Sequence, residues 1–304
     1  VTFALLCLAA FAPPLGGSDA DDGFRYPLAC TIAGDGTIYV ADRRLPGVWR
    51  VTTTDGEPTR LSRFKTGGGT FRTPLNAPRC MVFAPPSKGF PSGAVLVGDS
   101  ATRAIIRLDP TADEPAAEPL RVGETDVSPI GVPSALAVAA DGTLFVADLE
   151  SQRIYRVPPR EPAAAIAALP GVRGLCLAAD GALLAVTTEK DAIRRFVPAA
   201  DGAWSEQVAV AGRPFQSPQG AALGPDGTLH VADNAAGCLW RLAPTGDGGF
   251  AEPTKLAAGA PLVGPTGVCF DSSTNPPRLI VVDPKARALF ALNPAGGEVK
   301  TLAK

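Results

Sequence analysis

The sequence predicts an all-β fold, a six-bladed β-propeller of four-stranded antiparallel blades filling residues 24–304. Three observations predict it. A short apolar strand introduced by proline or its equivalent recurs six times, an Asp-Gly pair follows it in four units, and a second strand ending in aspartate follows in five. Four short strands per unit, at a spacing of roughly 40 to 55 residues, suit a blade, because a single blade cannot bury both faces and must stack on neighbours.

The first strands run from Pro27 to Ile32, Pro78 to Phe83, Pro133 to Val138, Val172 to Leu177, Pro218 to Leu223 and Pro265 to Phe270. The Asp-Gly pairs at Asp35, Asp141, Asp180 and Asp226 are hairpin signals, since both residues tolerate positive φ. Units two and six replace the pair with longer loops, Pro85 to Gly93 and Ser272 to Pro277. The second strands close on Asp42, Asp99, Asp148, Asp233 and Asp283, while unit four departs with Val186-Thr187-Thr188. Third strands follow at Val48–Val51, Ile105–Leu108, Ile154–Val157, Ile193–Phe196, Leu239–Leu242 and Leu289–Leu292. Weaker fourth strands complete the units at Thr59–Phe64, Pro119–Val122, Ala164–Leu169, Glu206–Ala211, Thr254–Ala257 and Val299–Leu302. The series opens on an innermost strand and ends on an outermost one, so the first and last blades are expected to meet without exchanging a strand.

Composition agrees with this plan and narrows the partners. Glycine (33) and proline (31) punctuate β-type runs, and no long amphipathic helix is evident. With 28 basic and 30 acidic residues the net charge is −2, which offers no broad field for nucleic acid or an anionic membrane. The apolar run Val1 to Ala12, broken by Pro13 and Pro14, is too short to span a bilayer and reads as a secretory signal segment. Residues 1–20 are therefore expected to be a signal peptide and linker, and the protein to be secreted or periplasmic.

The recurring pattern is fullest in unit five: Pro218-Gln219-Gly220, Asp226-Gly227, Val231-Ala232-Asp233, then Leu239-Trp240-Arg241-Leu242. It resembles the NHL repeat and the related gluconolactonase (regucalcin) propellers over nearly all of residues 24–304. The resemblance implies that the residue following the one that introduces each innermost strand lies at the mouth of a central channel. Those six residues are Leu28, Arg79, Ser134, Arg173, Gln219 and Thr266. In the gluconolactonase family, residues resembling these hold a divalent cation through a glutamate, an asparagine and an aspartate, and the cation polarises a lactone carbonyl. This chain has no carboxylate in the ring, and two arginines there would repel a cation.

Two readings of the ring follow. In one, Arg79 and Arg173 offer forked donors to a carboxylate, phosphate or sulfated sugar, with Ser134, Gln219 and Thr266 orienting it. In the other, each arginine pairs with an aspartate of a neighbouring blade, such as Asp99 or Asp148. The five strand-ending aspartates are expected to be turn formers that accept backbone N–H bonds, because a group repeated blade by blade is structural. His230 stands alone, which excludes multi-histidine zinc sites, and it occupies a packing position shared with Tyr39, Leu96, Phe145 and Val281.

Cys30, Cys80, Cys176, Cys238 and Cys269 show no metal-ligand spacing and read as small buried hydrophobes. Cys30 and Cys80 are also a candidate disulfide, on adjacent blades at positions of opposite parity. Trp49 and Trp240 take equivalent third-strand positions, while Trp204 lies outside that series. The long connections Phe64–Pro78, with Gly67-Gly68-Gly69, and Thr111–Pro133 are expected on the channel face, where propellers vary specificity.

The function these residues favour is an exported binding module for a small anionic or polar ligand, a glycan or a protein, with no cofactor, nucleic acid or integral membrane span. The alternative is a gluconolactonase-like hydrolase whose metal site has been rearranged around Asp42, Glu189 or Asp233.

Overall fold

The computed structural model describes residues 23–44, 47–55, 57–64, 75–112, 117–120 and 129–304. The expected signal segment 1–20, the glycines Gly67-Gly68-Gly69 and much of the two long connections lie outside the described residues.

Four of the six blades begin with a tight hairpin. Gly36, Gly142, Gly181 and Gly227 take φ values of 84°, 88°, 81° and 79°, which a side chain would resist. The aspartate before each glycine closes the turn by accepting the N–H of the residue after it: Thr37, Thr143, Ala182 and Thr228 donate over 2.8–3.1 Å. Local chemistry thus sets the register of the two inner strands. The loops of blades two and six reach the same end differently. In blade two Phe90 turns inward and is buried, and in blade six Asp271 accepts Ser273 and Arg278.

Six four-stranded antiparallel sheets result, each built from four strands consecutive in the chain. The inner strands are Pro27–Ile32, Pro78–Ala84, Pro133–Val138, Val172–Leu177, Pro218–Leu223 and Gly267–Asp271. All second strands are buried on both faces, as a layer stacked between neighbours requires. The outer strands are the exposed ones, for example Ala164–Ala168 and Thr254–Ala258. The fourth strand of blade two, expected at Pro119–Val122, is Glu118–Pro119 among the described residues.

Among the described residues the core divides into six clusters, one at each blade interface. Inner strands approach so closely that some side chains have no room. A Cβ on Gly220 would lie 2.5 Å from the Thr266 carbonyl oxygen, and one on Gly267 would lie 2.8 Å from the Ala29 Cα. Trp204, outside the third-strand series, packs edge-on against Phe145 between blades three and four.

The ring closes without strand exchange, as expected. Phe24 packs edge-on against Trp49 beside the last blade, the Thr266 hydroxyl donates to the Leu28 carbonyl over 2.9 Å, and Lys300 pairs with Glu57 over 2.6 Å. Arg287 adds a 2.8 Å bond to the Phe24 carbonyl.

The Cys30–Cys80 disulfide is corrected by this packing, because the two thiols lie at different blade interfaces. Along each inner strand, alternate side chains face the preceding and the following blade. Cys30 faces blade six, in the cluster with Ile280 and Val282, whereas Cys80 faces blade three, beside Leu136 and Val146. Ala29 and Met81 fill the interface between blades one and two instead. Opposite parity therefore points the two thiols away from each other.

Candidate functional site

The sequence-predicted ring forms. Leu28, Arg79, Ser134, Arg173, Gln219 and Thr266 together line a central cavity of about 70 Å³. A backbone irregularity places them there. In blades one to five the ladder between the inner and second strands skips one residue, so that Leu28, Arg79, Ser134, Arg173 and Gln219 are each the unpaired residue of a β-bulge. A bulge re-aims the side chain of its extra residue, and here it turns five of them toward the axis. The sequence carries no direct mark of the bulge beyond the residue that introduces each strand.

Two members of the ring are cationic. Among the described residues neither the Arg79 nor the Arg173 side chain has a hydrogen-bond or ion-pair partner, and Nε and Nη1 of Arg173 are buried. Burial, and next the charge of Arg173, push the Arg79 guanidinium below its usual range, and burial does the same to Arg173. The rest of the ring contributes hydroxyls and an amide already oriented. Ser134 donates to the Ala147 carbonyl over 3.1 Å, Thr266 to Leu28, and the Gln219 amide to Ser217 over 3.0 Å. The hydroxyl lone pairs and the Gln219 carbonyl oxygen add polarity without negative charge.

The expected pairing of the arginines with blade aspartates does not form, because the aspartates are occupied elsewhere. Asp99 accepts the N–H groups of Asn76, Ala77, Ala101 and Thr102, and Asp148 those of Val132, Glu150 and Ser151 together with the Ser151 hydroxyl. Asp233 holds Gln216, Ser217, Ala236 and the Trp240 indole, and Asp283 holds Val263, Gly264, Lys285 and Ala286. Each carboxylate thus ties the loop after the second strand, as expected, and also the segment leading into the inner strand. Blade four does this with Thr187, which donates to Pro170 and accepts from Glu189. Burial raises Asp148, but bonds from the Ser151 hydroxyl and from nearby N–H groups outweigh it and leave the carboxyl below its usual range.

His230 is far from this chemistry. It is fully buried, its Nε2 lies 3.4 Å from the Pro294 carbonyl, and its ring tilts against Phe270. Burial holds its pKa below the ordinary value. Among the described residues no three of His, Cys, Asp and Glu gather as a metal site, and neither Asp42 nor Asp233 turns into the cavity.

One feature escaped the sequence reading. At the opposite end of the strands a groove of about 980 Å³ runs from blade four across blade five to the edge of blade six, with Phe250 and Phe270 in its wall and the Asp180–Arg195 ion pair along it. The insertion that builds it, 243–253, interrupts blade five before its outer strand and folds on itself through a Pro244–Phe250 bridge. Its length was the available signal.

No family model matches the chain, and no curated protein matches it. Solved structures do. A gluconolactonase from Xanthomonas campestris superimposes with a TM-score of 0.67 at 17% identity, over 92% of this chain and 87% of that one. The catalytically inactive virginiamycin B lyase from Staphylococcus aureus with quinupristin gives 0.60 at 15%, over 96% and 87%. A chain of the nidogen/laminin complex gives 0.66 at 17%, over 88% and 93%. The chain shares the six-bladed fold with a lactonase, a lyase and a protein-binding domain, and a fold so widely used does not choose among them.

Proposed function

We propose that this protein is an exported, non-catalytic binding module that takes a small anionic or polar ligand, or the charged end of a glycan or protein, at its channel mouth. The observation that carries the reading is Arg173: a guanidinium with two buried N–H-bearing nitrogens and no protein acceptor, sharing a cavity with a second unpaired arginine. Leaving such donors without an acceptor costs about 1–3 kcal/mol for each group withdrawn from water, and an anion would offset it. The cavity volume of about 70 Å³ sets the size of what enters. It falls well short of the roughly 300 Å³ that encloses an organic ligand, so the group inside is a carboxylate, phosphate or sulfate, with any larger body remaining outside.

The test is calorimetric titration of the full chain with sulfate, phosphate and acetate in a low-salt buffer, alongside thermal unfolding. At least one anion should bind, and at about one hundred times its dissociation constant stabilise the fold by about 2.7 kcal/mol. Failure of all three to bind, or equal binding to Arg173→Met, would overturn the reading.

A further inference from the structure

We propose that Cys30 and Cys269 form a disulfide that closes the propeller ring covalently between its first and last blades. Five of the six blade interfaces are spanned by the continuing chain, and the interface between blades six and one is not. Here the inner strands press backbone to backbone: Gly267 lies against Ala29, and Thr266 is bonded to Leu28. Two residues beyond Gly267 comes Cys269, and one beyond Ala29 comes Cys30. Strand parity turns Cys30 back toward blade six and Cys269 forward toward blade one, so both belong to the same interface. The Cys30 thiol contacts the carbonyl of Ile280 at 3.6 Å, and Ile280 is the ladder partner of Cys269. The neighbouring Cys30 thiol and burial hold Cys269 well above the ordinary thiol range.

The chemistry is thiol–disulfide exchange with a small external disulfide. A Cys269 thiolate attacks one sulfur of the oxidant, forms a mixed disulfide and releases one thiolate. Cys30, losing its proton, then attacks the Cys269 sulfur and expels the second thiolate. Two cysteine thiols are oxidised, and one external disulfide is reduced to two thiols with the two protons. A high thiol pKa makes exchange slow in the closed ring, so the bond forms most readily as the blades first come together. The loop it closes spans most of the chain, which is where the chain-entropy effect is largest.

The experiment refolds the full chain in a mixture of reduced and oxidised glutathione, traps free thiols with N-ethylmaleimide, and maps peptides by mass spectrometry without reduction. A peptide joining Cys30 to Cys269 should dominate, with Cys80, Cys176 and Cys238 trapped as thiols. Recovery of both Cys30 and Cys269 as trapped thiols, or of Cys30 joined to Cys80, would overturn the proposal. Oxidised protein should also melt higher than reduced protein, by on the order of 10 °C. That difference should vanish in Cys269→Ala; its persistence there would also count against the bond. The peptide map needs no variant, so it decides the matter even if Cys269→Ala fails to fold.

Discussion

At one end of this propeller two sets of polar residues face each other across the same ladder and are treated in opposite ways. Asp99 pairs in register with Pro78, and Asp148 with Pro133; the next residues in the chain are the ring members Arg79 and Ser134. The aspartates are buried, repeated, and bonded to backbone donors on two segments at once. The ring residues vary from blade to blade, and among the described residues the two charged ones have no side-chain partner. The difference teaches how labour is divided: what repeats holds the blades, and what breaks the repeat is left available for a ligand.

The largest test of that division removes one carboxylate. Asp283→Ala would leave four backbone N–H groups without their acceptor, two of them on the segment leading into the inner strand of blade six. We expect a loss of about 3–5 kcal/mol in a urea titration, since the lost bonds are charge-assisted and the orphaned donors are partly buried. Arg173→Met is the contrasting variant. Its stability without ligand should stay within about 1 kcal/mol of the parent or rise, because unpaired, partly buried donors are exchanged for an apolar chain of similar reach. Its affinity for the bound anion should fall at least tenfold, worth about 1.4 kcal/mol. If both variants unfold alike, the ring is as structural as the aspartates and the comparison breaks.

Acid offers a second way to separate the two sets. The Asp148 carboxyl is held below its usual range, so its stabilisation is complete above the unfolded value near 3.9 and is lost as pH falls through the folded one. His230, also depressed, acts earlier: the fold favours the neutral ring, and the unfolded chain takes up a proton below about pH 6.5. Its contribution is intact above that value and declines as pH drops below it. The melting temperature should therefore fall in two stages on acidification, the first absent in His230→Leu. Arginine stays charged throughout, so the two arginines should contribute to neither stage.

Much of this was legible in the sequence because repetition carries it. Asp-Gly turns, apolar runs and strand-ending aspartates fix six blades, and aligning the units selects the six ring positions. Side-chain direction was less legible. The parity of Cys30 and Cys80 was readable, but which neighbour each parity faces depends on the bulge at Leu28 and Arg79 and on the sense in which blades stack. The isolation of Arg173 was hidden for a related reason. Two aspartates stood nearby as partners, and only the backbone path into each inner strand shows that their oxygens are already used. The groove beside Phe250 was missed because a repeat-based reading passes over an insertion in one unit.

The smallest expected effect lies within the ring itself, between its two hydroxyl-bearing residues. Ser134 donates to Ala147, a carbonyl of its own blade, while Thr266 reaches from the last blade to the Leu28 carbonyl of the first. Both bonds are neutral and individually worth about 0.5–1.5 kcal/mol. Ser134→Ala loosens a sheet already held by its ladder, whereas Thr266→Val keeps the shape but removes a bond across the one interface that the chain does not span. Urea titration should find Thr266→Val the more destabilised, by about 1 kcal/mol against roughly half that for Ser134→Ala. Equal losses would mean that the closing interface is no weaker than the others, and that the propeller depends on Thr266 no more than on any other hydroxyl in its channel.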